Sequence, residues 1–199
     1  MRTIGITGGV GAGKSTVLAF LEKECGAFVI QADKVGHLVM EPGEECYEPV
    51  IRLFGKEIIK NDKTIDRKMV SDVVFVQPEK LEKLNAIIHP AVKRYIRRSL
   101  EEQRERRRNL CIVEAALLLE DNYQDFCDEV WYVHTDREIR IARLMESRGY
   151  TREKAENIIA SQASEKFFRA HADYVIENNG NLGETFDCIL KGVKRNETL

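Results

Sequence analysis

The sequence predicts an α/β protein, a doubly wound parallel sheet interrupted by a long helical insertion. Three observations carry this. Ile4-Gly5-Ile6-Thr7 is a short apolar run that passes through a glycine-rich loop into the helical pattern from Val17 to Lys23. Similar runs recur at Ala27-Phe28-Val29-Ile30, Leu110-Cys111-Ile112-Val113, Val130-Trp131-Tyr132-Val133 and Tyr174-Val175-Ile176. Continuous short apolar runs fit strands buried on both faces of a parallel sheet. Residues 34–109 contain no convincing strand, and they far exceed an ordinary strand-to-strand crossover.

In order, the first strand, loop and helix close at Gly26, where a residue without Cβ suits a C-terminal cap. The second strand ends at Gln31-Ala32-Asp33. In the insertion, Glu41-Pro42-Gly43, Asn61-Asp62-Lys63 and Gln77-Pro78-Glu79 mark breaks. His89-Pro90 predicts two helices meeting there, because proline lacks the amide that would continue the ladder. The stretch from Thr135 to Arg169 is helical, charged and arginine-rich, with Gly149 separating two helices, and reads as a mobile lid. A helix from about Leu182 to Val193 closes the chain. The expected organisation is a core of residues 1–33, 110–136 and 170–199, a helical substrate-binding insertion at 34–109 and a lid at 137–169.

Thirty-one Lys and Arg against 33 Asp and Glu give a formal charge of −2, so no overall attraction draws the chain to polyanions. The basic stretch from Lys93 to Arg108 is interleaved with Glu101, Glu102 and Glu105, the pattern of a solvated helix face. It has no aromatic residue after Ile96 to stack on a base, so no nucleic-acid partner is expected. Five cysteines without a C-x-x-C pair, beside only four histidines, read as reduced buried thiols. No apolar run approaches the roughly 20 residues of a spanning helix, and Met1-Arg2-Thr3-Ile4 enters the loop without a signal core. The expectation is a cytoplasmic protein without membrane partners, a monomer by default.

Gly8-Gly9-Val10-Gly11-Ala12-Gly13-Lys14-Ser15 satisfies G-x-x-x-x-G-K-[ST] between a strand and a helix, the context that motif requires. Glycines let main-chain amides turn inward, and the helix start adds free N–H groups and a positive dipole end. A polyphosphate fits such a nest. Lys14 reaches the β- and γ-phosphates, Ser15 is placed to ligate Mg²⁺ held by them, and Thr16 adds an α-phosphate contact. A nucleoside triphosphate with Mg²⁺ is the expected ligand, with Gly9, Gly11, Ala12, Gly13, Lys14, Ser15 and Thr16 around it.

Asp33, at a strand end on the carboxyl edge of an open sheet, is placed either to accept a proton from an attacking hydroxyl or to cap the helix starting at Lys34. Asp33-Lys34-Val35-Gly36 also matches the D-x-x-G of a GTPase switch, but the chain has no guanine-specific N-K-x-D. Glu114, ending the third strand, reads as a water-mediated Mg²⁺ ligand or a packed strand-end acid.

With these residues come Glu41-Pro42-Gly43, Asp66-Arg67, Leu84-Asn85-Ala86-Ile87-Ile88-His89-Pro90-Ala91-Val92 and Ala172-Asp173-Tyr174-Val175-Ile176-Glu177-Asn178. In that order they make the chain resemble dephospho-coenzyme A kinases nearly end to end. The resemblance implies a P-loop, nucleoside-monophosphate-kinase-like fold and transfer of the ATP γ-phosphate to the ribose 3′-hydroxyl of dephospho-coenzyme A. It implies that Asp33 is the base and that Asn178 lies near the adenine. Arg143 matches a cation over the ATP phosphates, against a plain helix-face arginine. Arg67, His89 and Glu120 are substrate-binding candidates. For Arg67 the alternative is an ion pair with Asp66 or Glu48, and for His89 a helix junction. The chain departs from the family pattern at Ala116-Leu117-Leu118-Leu119-Glu120, which keeps the acid but lacks proline and phenylalanine, and at Ser147-Arg148, Glu165 and Phe168 in the lid. Two other readings remain open: another P-loop kinase acting on a nucleotide-like acceptor, and a nucleotide-dependent regulatory switch.

Overall fold

The structure, a computed structural model, describes residues 1–195. Five strands, β1 (Arg2–Thr7), β2 (Phe28–Gln31), β3 (Leu110–Glu114), β4 (Glu129–His134) and β5 (Tyr174–Glu177), form one sheet in the order β2-β3-β1-β4-β5. The central strand β1 runs parallel to β3, with Ile4 opposite Ile112, and parallel to β4, with Ile6 opposite Trp131. Chain order reverses around β1, so its carboxyl end is the switch point where open α/β sheets collect ligands.

One sheet face packs Ile4, Ile6, Ile112, Trp131, Val133 and Ile176 against Val17, Leu18 and Leu21 of α1 (Lys14–Glu24) and Ile189 of α9 (Leu182–Lys194). Each fully buried aliphatic side chain there contributes roughly 1.5–3 kcal/mol. This core fixes where β1 ends and α1 begins, and so fixes the loop between them.

The chain forms two compact units, residues 1–30 with 103–195, and Gln31–Glu102. The second unit is helical: α2 (Ala32–Leu38), α3 (Tyr47–Phe54), a 3-10 turn at Lys56–Ile58, α4 (Arg67–Val76) and most of α5 (Pro78–Glu105). Beyond Gln31, which ends β2, its paired extended residues among those described are the isolated antiparallel bridge Ile59 to Ile65. The Asp66 carboxylate caps α4, accepting from the amides of Lys68 at 3.0 Å and Met69 at 3.2 Å.

Three expectations are corrected. The helix break at His89-Pro90 is absent, and α5 runs unbroken through Pro90. Proline deprives the Ala86 carbonyl of its amide donor, but both Ala86 and Pro90 are exposed, which puts that carbonyl on the solvent face of the helix. Buried Leu84, Ala91, Val92 and Ile96 on either side hold the helix together. Residues 137–169 form three helices, not two: α6 (Arg137–Arg148), α7 (Arg152–Ala160) and α8 (Glu165–His171). Gly149 separates the first pair in the left-handed conformation, and the Ser164 hydroxyl starts the third by accepting from Phe167 N at 3.2 Å. All five cysteines are free thiols; Cys46 and Cys111 are buried, while Cys25, Cys127 and Cys188 are half-buried rather than fully enclosed. Among the described residues no helix is long and apolar enough to cross a membrane.

Candidate active site

The glycine-rich loop leaves β1 at Thr7 and enters α1 at Lys14, with Gly13 as the helix N-cap in the left-handed conformation, φ 86°. The loop curls on itself through Ala12 N to Gly9 O at 3.1 Å, and α1 begins with Thr16 N and Val17 N donating to Gly13 O. Ser15 and Thr16 are exposed in the first helical turn. Lys14 Nζ donates to the Gly8 carbonyl at 2.8 Å and stands 3.8 Å from the carboxylate of Glu114, which is buried at the end of β3.

Behind the loop lies a buried polar knot. The Ala12 carbonyl accepts from Asn178 Nδ2 at 2.8 Å and from Thr135 Oγ1 at 3.0 Å. Asn178 Oδ1 in turn accepts from Thr185 Oγ1 at 2.9 Å, and its main-chain amide donates to His134 O at 2.9 Å. Arg143, one side of α6, donates to the Asn178 carbonyl at 2.9 Å and to Thr135 Oγ1 at 3.3 Å. A Cβ built on Gly13 would collide with Asn178 Nδ2 and sit 3.4 Å from Arg143 Nη1. The first unit therefore brings Gly9, Gly11, Ala12, Gly13, Lys14, Glu114, Arg143 and Asn178 together around one loop.

A family model described as dephospho-CoA kinase matches residues 2–184. The chain belongs to the dephospho-CoA kinase family. A relative named dephospho-CoA kinase from Corynebacterium diphtheriae is 39% identical over 181 residues, 91% of this chain and 90% of its own length. Its counterpart from Geobacillus kaustophilus is 38% identical over 199 residues, 99% and 98% of the two chains. Among solved structures, TT1252 from Thermus thermophilus superposes with a TM-score of 0.82 at 32% identity, covering 100% of this chain and 98% of that one. A shikimate kinase from Bacteroides thetaiotaomicron shares the fold, with a TM-score of 0.56 at 14% identity over 100% and 99% of the chains.

The structure gives each residue that the dephospho-CoA kinase resemblance singles out a definite setting. Asn178, which the resemblance puts near the adenine, has its side-chain amide buried and engaged on both ends, where it braces the loop. Asp33 is not a helix cap: Gln31 occupies that position, and Asp33 is exposed in the first turn of α2. The remaining substrate candidates are spread over the chain. Arg67 opens α4 and is exposed, His89 is half-buried on α5, and Glu120 is exposed in the turn after β3.

Two residues the sequence did not single out also touch the loop. Arg140 donates from Nε to the Val10 carbonyl at 2.8 Å, and Gln162 Oε1 accepts from Val10 N at 3.1 Å. The available signal was the spacing of Arg140 and Arg143, three apart on one helix and so on one face. Burial holds Arg140 below the ordinary arginine pKa, with Tyr132 opposing, yet the guanidinium stays charged at any physiological pH.

Proposed function

We propose that the chain phosphorylates the ribose 3′-hydroxyl of dephospho-coenzyme A at the expense of ATP, giving coenzyme A and ADP. The observation that supports this best is the phosphate loop itself, built at the sheet's switch point with Lys14 beside Glu114, in a chain of the dephospho-CoA kinase family. The loop amides and the start of α1 hold the triphosphate, and Lys14 moves from the Gly8 carbonyl to the phosphates, where its charge offsets that building on the transferring group.

Mg²⁺ fits the residues present: the exposed Ser15 hydroxyl and the buried Glu114 carboxylate are hard oxygen donors near the lysine, and a cation of this kind keeps several waters and phosphate ligands. When bound it neutralises phosphate charge and orients the chain of phosphates. Ser15 would hold it directly and Glu114 through water.

Asp33 accepts the proton of the 3′-hydroxyl as the phosphoryl group departs. Its exposed carboxylate in the first turn of α2 follows β2 directly, and the family resemblance assigns the base to this position. Arg143 supplies a cation at the phosphates, while Arg67, His89 and Glu120 contact the acceptor. Residues 137–169 act as the lid that keeps water from competing with the ribose. The chain works as a cytoplasmic monomer whose partners are its two small-molecule substrates, with neither nucleic acid nor membrane.

The test is product analysis. Incubation with Mg·ATP and dephospho-coenzyme A is expected to give a new 3′-phosphomonoester signal by phosphorus NMR. Recovery of unmodified acceptor alongside ATP turnover would contradict the proposal.

A further inference from the structure

Val10, within the phosphate loop, is held by residues 137–169 through its side chain, its N–H and its C=O. Its side chain packs with Tyr150 and Ile159 against the buried Ile141, Leu144 and Ala155. Its N–H donates to Gln162 Oε1 at 3.1 Å, and its C=O accepts from Arg140 Nε at 2.8 Å. The ring closes because Arg140 Nη2 also donates to Gln162 Oε1, at 2.5 Å. Arg140 comes from the first turn of α6 and Gln162 from the loop between α7 and α8, so the two ends of the segment converge on one loop residue. The flanking glycines leave room for this. A Cβ on Gly9 would strike the Arg140 guanidinium, and one on Gly11 would lie 3.0 Å from the Arg140 carbonyl and 3.2 Å from Leu144 Cγ.

A peptide unit is planar and trans, so fixing one carbonyl fixes the N–H on its opposite edge. Anchoring the Val10 carbonyl on Arg140 therefore sets the direction of the Gly11 N–H. Anchoring the Val10 N–H on Gln162 likewise sets the Gly9 carbonyl, which receives Ala12 N at 3.1 Å. The Asn178 and Thr135 contacts to the Ala12 carbonyl do the same for the Gly13 N–H. Amides of this loop bind phosphate only if they point inward, and a part-buried, charge-assisted clamp resists the rotation that would turn them away.

We infer that Arg140 and Gln162 are positioning residues that aim the Gly11 amide at the nucleotide's phosphates by clamping both peptide groups of Val10. They act through the loop and touch neither substrate. The inference rests on reading the loop as a nucleotide site, but it does not depend on which acceptor is used.

The experiment compares the full chain with Gln162→Leu, Arg140→Met and the double variant, titrating each with Mg·ATP and measuring KM for ATP and for dephospho-coenzyme A. Loss of one charged hydrogen bond predicts a fall of about tenfold in ATP affinity for each single variant. The double variant is expected to fall by about the same factor, because either change opens the one clamp. KM for the acceptor stays within about twofold. Gln162→Glu, which keeps an oxygen for Val10 N–H and pairs with Arg140, is expected to restore most of the affinity. A wild type that binds ATP while the variants bind it equally well would overturn the clamp alone. So would multiplicative losses, or losses that track a fall in melting temperature with both KM values shifted together. A wild type with no affinity for ATP would overturn the reading of the loop and the clamp with it.

Discussion

A Cβ at Gly13 would run into the Asn178 amide, and its φ of 86° lies where an L-residue costs about 1–2 kcal/mol. Gly13→Ala is thus expected to weaken Mg·ATP binding by at least about tenfold in an equilibrium titration; unchanged affinity would mean the knot behind the loop yields easily. Cys127 makes a second residue-scale case. Burial, reinforced by Asp128 and Asp125, pushes its thiol up to about 12, so at pH 8 almost no thiolate forms. Alkylation of the folded protein at that pH should leave Cys127 unlabelled in peptide mapping, with labelling appearing only after denaturation. At this scale the sequence spoke clearly where chemistry is local: Gly13, Lys14 and Ser15 were named by one contiguous motif. Arg140 and Gln162 were not, because their partner Val10 lies 130 and 152 positions away and nothing in a linear pattern encodes that meeting.

Elements were legible wherever a period or a run defined them, and their ends wherever a cap did. The apolar runs became β1 to β5 with shifts of one or two residues, and the helix from Leu182 closed the chain as expected. Proline at 90 misled because the rule concerns a lost amide, whereas the outcome depends on whether the orphaned carbonyl faces water, which only the fold decides. The third helix in 137–169 was hidden by its brevity, seven residues that rest on the Ser164 cap and on Phe168 stacked at 5.0 Å on Tyr132. Restoring the missing amide has a measurable consequence. Pro90→Ala should raise stability by about 1–3 kcal/mol in urea unfolding, and a loss of stability would show that the helix at Pro90 is held by the ring's own packing.

For the molecule as a whole, Arg2 ties the first strand to β4 and to α9. Its guanidinium pairs with Glu129 at 2.5 Å and donates to the carbonyls of Val193 at 2.7 Å and Gly192 at 3.1 Å in α9. Glu129 also accepts from Trp131 Nε1 at 2.8 Å. Burial alone would raise the Glu129 carboxyl, but the hydrogen bonds from Arg2 and Trp131 outweigh it and hold the group below its ordinary value of 4.5. The unfolded chain therefore takes up this proton first on acidification. The stabilisation is complete above the ordinary carboxylate range and is lost as pH falls through the depressed folded value. Glu129→Gln should flatten that part of the stability profile between about pH 5 and pH 3, and an unaltered profile would contradict the linkage. The function itself was legible at this scale, since motifs spread from Gly8 to Asn178 point to one reaction, while the contacts that brace the loop are tertiary. The most direct measurement is ADP release from Mg·ATP with dephospho-coenzyme A, AMP, adenosine, pantothenate or shikimate as acceptor, for the wild type and Asp33→Asn. The account predicts stimulation by dephospho-coenzyme A alone, falling by about 10²–10⁴ in the variant while ATP affinity holds within about twofold. Stimulation by another acceptor, or an Asp33→Asn enzyme as fast as the wild type, would contradict it.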